Sequence, residues 1–262
     1  MRDRTSGGGH EPGVVDSHVR DALDDSFMAG FPPAVIEQLM VDARIRRIEA
    51  GEVFYRGAHH DSTLTLGLVV DGLVRILLKE QAGRQVTVRY APPGTVVGLP
   101  AVLMAGPGTP ASAAKMWQLL GGDARDAQAV RDTTMLQFRP ARFRAVVQRD
   151  ATAAWALSQH LVGQLAEAQL QLAAELFLPV RSRIASHLLN LAERSGRELV
   201  VHSRHEAIAA AMGSVREVVS RELKRLERDG FVERVGGPAG HLRIVDSAGL
   251  HRIAHGHVDR AA

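Results

Sequence analysis

Residues 203–245, SRHEAIAAAMGSVREVVSRELKRLERDGFVERVGGPAGHLRIV, hold two short helical patterns, a glycine turn between them and a hairpin after them. Ser203 and Glu206 stand at the spacing of a capping box, in which the hydroxyl takes an orphan helix N–H and the carboxylate reaches back. The helix they open, about 204 to 212, is rich in alanine and carries Ile208 and Met212 on one side. Gly213 offers the left-handed residue that ends it. The second helix, 214 to 228, is two-faced. At about 100° per residue, Val215, Val219, Leu223 and Leu226 gather in one stripe, with Arg216, Glu217, Ser220, Arg221, Lys224 and Arg228 opposite. Any surface helix puts charge outward, so this face alone assigns nothing. The order does: small-residue helix, turn, basic-faced helix, strand, GGPAG turn, strand is that of a winged helix-turn-helix, whose second helix enters the DNA major groove.

The same segment resembles the DNA-binding domain of the cAMP receptor protein/FNR family, where the pattern E-x-I-A-x-x-x-G-x-x-R-E-x-V-S-R-x-L-K-x-L-x-x-x-G recurs. Glu206, Ile208, Ala209, Gly213, Arg216, Glu217, Val219, Ser220, Arg221, Leu223, Lys224, Leu226 and Gly230 match it in register. Val215 departs from it, replacing a Ser or Thr whose hydroxyl would touch phosphate or cap the helix. The resemblance implies a sequence-specific, homodimeric transcription regulator. Arg216 and Arg221 are the predicted base or phosphate contacts, Glu217 the partner of a cytosine amino group, and Ser214, Ser220, Lys224, Arg204 and His205 the flanking contacts.

The composition bounds this reading. The chain has 262 residues, 45% of them apolar, enough for two domains. It contains no cysteine, which excludes disulfides, cysteine-held zinc and the cysteine-ligated iron–sulfur cluster that some relatives use. Net charge is only +3, and residues 203–245 carry eight Lys/Arg against six Asp/Glu, so the placement of charge matters more than its sum. No apolar run reaches the roughly 18 residues of a membrane span, and the start lacks a leader pattern. The sequence therefore predicts a cytoplasmic protein with no membrane partner.

Residues 1–26 are polar and glycine-rich and read as a flexible arm, with a helix starting after Val15. From Ala43 short apolar runs alternate with glycines every eight to twelve residues, the pattern of an antiparallel sandwich. Expected strands are 44–48, 53–55, 64–71, 73–79, 85–90 and 133–138, with Asp71-Gly72 as a hairpin turn. This block resembles the family's jelly-roll sensor, including its Gly51-Glu52 start and Gly57.

In cyclic-nucleotide-binding relatives a Gly-Glu pair binds the ribose and a later Arg-Ser or Arg-Thr pair binds the cyclic phosphate. Here Gly98 is followed by Leu99 and Pro100, Asp123 and Ala124 align with the second pair, and Arg125 lies two residues on. The two helix positions that touch the base in the family are Ala168 and Gln169. The sequence therefore predicts that cAMP is not the effector. Gly98, Leu99, Pro100, Arg125, Ala168 and Gln169 line either a pocket for another effector or a vestigial one packed shut.

A long helix, about 151 to 176, repeats Trp155, Leu157, Leu161, Leu165, Ala168, Leu172 and Leu176 at threes and fours. That is a coiled-coil seam, with Trp155, Leu161, Leu165, Ala168, Leu172 and Leu176 as the dimer contacts, or a stripe packed on its own sandwich. Pro179 breaks it. The expected fold is α+β: arm 1–26, cyclic-nucleotide-binding-like jelly roll 27–150, dimerisation helix 151–178, and winged helix 179–262. His251 and His255 are spaced i, i+4, but no carboxylate completes a metal set. Neither a serine elbow nor a phosphate-binding glycine loop is present, so no enzyme is predicted. The expected partners are double-stranded DNA with a near-palindromic site, a second copy and, as the resemblance implies, RNA polymerase. The alternative is a ligand-sensing or protein-interaction module without specific DNA binding. The sequence leaves open the effector, the operator, activation or repression, and the role of the inserted loop at 104–122.

Overall fold

The computed structural model describes residues 12–56, 66–79, 85–104, 125–195, 198–201, 208, 216–236 and 241–255. The chain divides into two compact units, 1–76 with 89–162 and 77–88 with 163–262.

In the first unit, α1 (Pro12–Asp24), a 3-10 turn (Phe27–Gly30) and α2 (Pro33–Met40) precede the sheet. The helix expected after Val15 within the arm is α1, which begins at Pro12, and apolar spacing ties it down: Val19 and Ala22 are buried with Met28, Phe31, Val35 and Leu39 in the core. Ser26 holds the turn after α1, its hydroxyl accepting from Met28 N–H at 3.1 Å and donating to the Leu23 carbonyl at 2.8 Å.

The strands are β1 (Arg44–Ile48), β2 (Val53–Arg56), β3 (Leu66–Lys79), β4 (Gln85–Ala91), β5 (Val96–Val97) and β6 (Arg125–Phe138). They join in one sheet with the order β1-β6-β3-β4, β2 adding to β6 and β5 to β3. Two expectations are corrected here. Asp71-Gly72 makes no hairpin: β3 runs through it for 14 residues, and Gly72 bends the strand with φ +100°. β6 passes so close that a Cβ on Gly72 would lie 2.6 Å from both the Asp132 carbonyl oxygen and the Thr133 Cα. The final strand likewise begins at Arg125 rather than Thr133. Ile48, Val69, Val74, Val97, Ala127, Ala129 and Met135 fill one core, while Leu66, Leu68, Val70 and Leu136 belong to the core that takes in α1 and α2. α3 (Leu99–Met104) and α4 (Pro140–Arg149) complete the unit with the start of α5 (Ala151–Phe177). Asp150 caps α5, accepting from Ala153 N–H at 2.8 Å.

In the second unit, α6 (Val180–Leu191) starts directly after Pro179, as the break predicted. β7 (Glu193–Ser195), β8 (Glu198–Val201), β9 (Val232–Val235) and β10 (His241–Ile244) form an antiparallel sheet in the order β7-β8-β10-β9. β9 and β10 are the expected wing hairpin. α7 (Arg216–Arg228) and α8 (Ser247–Ala254) pack on this unit's core, Leu250 and Ile253 inward. Among the described residues no helix is long and apolar enough to cross a membrane.

Gly72→Ala should destabilise the first unit by roughly 3 kcal/mol or more, since left-handed strain and a backbone clash add. Gly51→Ala, at φ +87° but with nothing within 4 Å of its Cβ, should cost about 1 kcal/mol. Urea unfolding of the two variants checks the difference.

Candidate nucleic-acid interface

α7 exists because of its apolar stripe, since 13 residues alone make a marginal helix in water. Val219, Leu223 and Leu226 are fully buried among Ile184, Leu188, Val201, Ile208, Val232, Leu242 and Leu250. The helix stops at Gly230, which takes φ +79°. There the Gly230 N–H donates to the Glu227 carbonyl at 3.1 Å and the Phe231 N–H to the Leu226 carbonyl at 3.0 Å, the paired bonds of a Schellman cap.

Two ion pairs fix the helix end. Arg181, two residues past Pro179, reaches Asp229 at 2.7 Å and lies over the Phe231 ring at 5.8 Å. Arg234 on β9 reaches Glu227 at 3.0 Å. In the wing sheet Arg243 bridges Glu233 and Glu198, and hydrogen bonds to these two carboxylates raise the guanidinium above its ordinary range.

The opposite side of α7 lines a shallow groove of about 850 Å³, with Arg216, Glu217, Ser220, Arg221, Lys224, Arg225 and Arg228 along it. Five basic side chains face one carboxylate there. Six of these seven positions were on the polar face expected from the sequence. Arg225 was missed because, on an ideal wheel, it falls at the margin of that face. Glu222 was missed as well: it is only 7% exposed, on the buried side of the helix. The capping box at Ser203 and Glu206, the Gly213 turn, Val215, and the expected contacts Arg204, His205 and Ser214 lie outside the described residues. Ile208 is helical and buried, as its spacing implied.

Gly98 takes φ +96° at the start of α3. Leu99 is 0% exposed and belongs to the core with Val96, Val102, Leu136, Phe138 and Phe143. Pro100 is half-buried, and Ala168 and Gln169 are exposed on α5. Arg125 starts β6, while Asp123 and Ala124 lie outside the described residues. On α5, Ala153 and Leu157 are buried in the first unit's core. Trp155, Leu161, Leu165, Ala168, Leu172 and Leu176 are exposed, Leu165 at 59%, Leu172 at 60% and Leu176 at 69%. His251 and His255 each turn Nδ1 to the carbonyl four residues back, at 2.8 and 2.7 Å.

Comparison with known proteins adds the following. Residues 182–253 match the family model of the Crp-like helix-turn-helix domain. The chain is 31% identical over 204 residues to the cyclic AMP receptor protein of Thermus thermophilus, covering 78% of this chain and 84% of that one. It is 28% identical over 193 residues to the transcriptional regulator SdrP of the same organism, covering 71% and 82%. A solved structure of a CRP/FNR-family transcriptional regulator from Thermus thermophilus superposes with a TM-score of 0.62 at 25% identity, over 81% of this chain and 98% of that one.

Arg221→Ala should weaken binding to a selected duplex roughly 5- to 150-fold and relax the preference at one base pair. Lys224→Ala should weaken all sequences alike and reduce the slope of log affinity against log salt by about 0.9. Titrations of matched and scrambled duplexes at several salt concentrations distinguish the two.

Proposed function

The chain belongs to the Crp/FNR family of DNA-binding transcription regulators, and from that premise we propose that it acts as a homodimer reading a near-palindromic site through α7. Two copies of α7 enter successive major grooves, one helical turn apart. Arg216 and Arg221 contact base edges, Glu217 accepts from a cytosine amino group, and Lys224 and Ser220 hold phosphates. The observation that carries this reading is the groove along α7, basic on its open side and anchored by a buried apolar stripe beneath.

The homodimer reading is supported by the exposed leucines of α5. A stripe of that size on one helix is an association surface in water, and its spacing of threes and fours suits a second copy of the same helix. The sensor works without cAMP. What supports this is Leu99: a buried leucine stands where the resemblance puts the ribose-binding carboxylate, and an apolar side chain accepts no hydrogen bond. The first unit then either takes a different effector or serves as a packed scaffold. An iron–sulfur cluster held by cysteines is excluded by the absence of cysteine. No catalytic role is assigned, and the protein acts where its DNA is, in the bacterial cytoplasm, with RNA polymerase as a further partner.

Leu165→Glu together with Leu172→Glu should give a monomer by sedimentation and abolish specific binding while leaving each unit folded. Selection of bound sequences from a random duplex pool should return a two-fold-related site, equally enriched with and without cAMP. A cAMP-dependent enrichment would refute the pocket reading.

A further inference from the structure

α7 carries three glutamates with different surroundings. Glu217 is exposed at the first turn, and Glu227 pairs with Arg234 on the wing. Glu222 lies on the buried side, its side chain only 10% exposed. A carboxylate removed from water in that way requires compensating charge and hydrogen bonds. Its described partners come from the groove side of the same helix. Arg225 donates Nη1–H to Glu222 Oε1 at 3.0 Å, and Arg221 Nε stands 3.7 Å from that same oxygen. Both arginines nonetheless stay open to solvent, with side chains 63% exposed for Arg221 and 50% for Arg225.

We propose that Glu222 is a positioning residue for sequence readout, a role that rests on the reading of α7 as the base-contacting helix. An arginine on an open helix face samples many rotamers and contacts any phosphate within reach. With its Nε edge drawn toward a fixed, buried carboxylate, Arg221 is held in one orientation, and its paired Nη groups are left to fork onto a guanine O6 and N7. Arg225, hydrogen-bonded to the same oxygen, is withheld from the phosphates. Glu222 thereby raises specificity and lowers indiscriminate affinity at once.

These two consequences have opposite signs, which separates positioning from a merely structural role. Glu222→Gln keeps the shape and removes the charge. Discrimination between the selected site and a variant at the base pair read by Arg221 should fall about tenfold, a typical share of one bidentate contact. Binding to random duplex should become tighter, and its salt slope steeper by about 0.9, as Arg225 turns to phosphate. In an Arg221→Ala background the same substitution should leave base preference unchanged. Arg225→Ala, which needs no buried change, should leave the salt slope of the otherwise intact protein as it was.

The proposal is overturned if Glu222→Gln keeps the preference, or if it weakens selected and random duplexes by the same factor. It is also overturned if Arg225→Ala makes the slope shallower, which would mean that Arg225 already sits on phosphate. An unsubstituted protein that selects no sequence from the pool overturns instead the reading of α7 on which the proposal stands.

Discussion

The burial of Val219, Leu223 and Leu226 is the constraint from which the rest of the second unit follows. Each such side chain contributes about 1.5–3 kcal/mol when removed from water, more than a 13-residue helix gains from propensity. That burial also fixes rotation about the helix axis. Turning α7 by one position, about 100°, would carry its apolar residues toward solvent and its cations toward the core. The direction of the basic face is thus set from below. The Schellman cap at Gly230 and the pairs Arg181–Asp229 and Arg234–Glu227 then limit tilt and sliding. None of these surface pairs need be strong, since exposed ion pairs contribute little each. They act on a helix that packing has already placed.

This dependence explains why α7 was legible in the sequence and its neighbours less so. A stripe repeating at threes and fours is a periodic signal carried by the helix itself. β8 carries no such signal: Leu199, Val200 and Val201 follow a polar stretch, and they become a strand because Leu242 and Arg243 of β10 pair with Val201 and Val200. Gly72 misled for a related reason. Asp-Gly between apolar runs reads as a reversal, whereas here the glycine answers to β6, which leaves no room for a side chain. α1 was legible from Val15 onward, where Val19, Ala22 and Leu23 repeat at helical spacing, while the polar run before it hid its first turn. Glu222 was invisible for the opposite reason, because a charged residue at the margin of a stripe is read as solvent-facing until its burial is known.

The sensor illustrates how one residue type redirects a loop. Gly98 keeps the left-handed turn that starts α3, and the Val102 N–H still donates to the Gly98 carbonyl at 3.1 Å. The next position, however, carries a side chain that gains by leaving water. Leu99 and Val102 therefore enter the core beside Phe138 and Phe143, and Arg144 Nη1 fastens the end of the turn by donating to the Val102 carbonyl at 3.1 Å. The direction in which the residue after Gly98 is driven decides what this loop presents.

The long helix is governed by the same competition, resolved differently along its length. Near its start, Ala153 and Leu157 find the core of the first unit and are buried. Farther on, Leu165, Leu172 and Leu176 stay exposed among the described residues. The helix nevertheless continues unbroken to Phe177, and Pro179 ends it where α6 begins. Its second half therefore presents leucines to solvent among the described residues, and in the proposed homodimer association adds stability that grows with protein concentration. On the proposed homodimer reading, the exposed leucines of α5 serve both dimer formation and DNA readout.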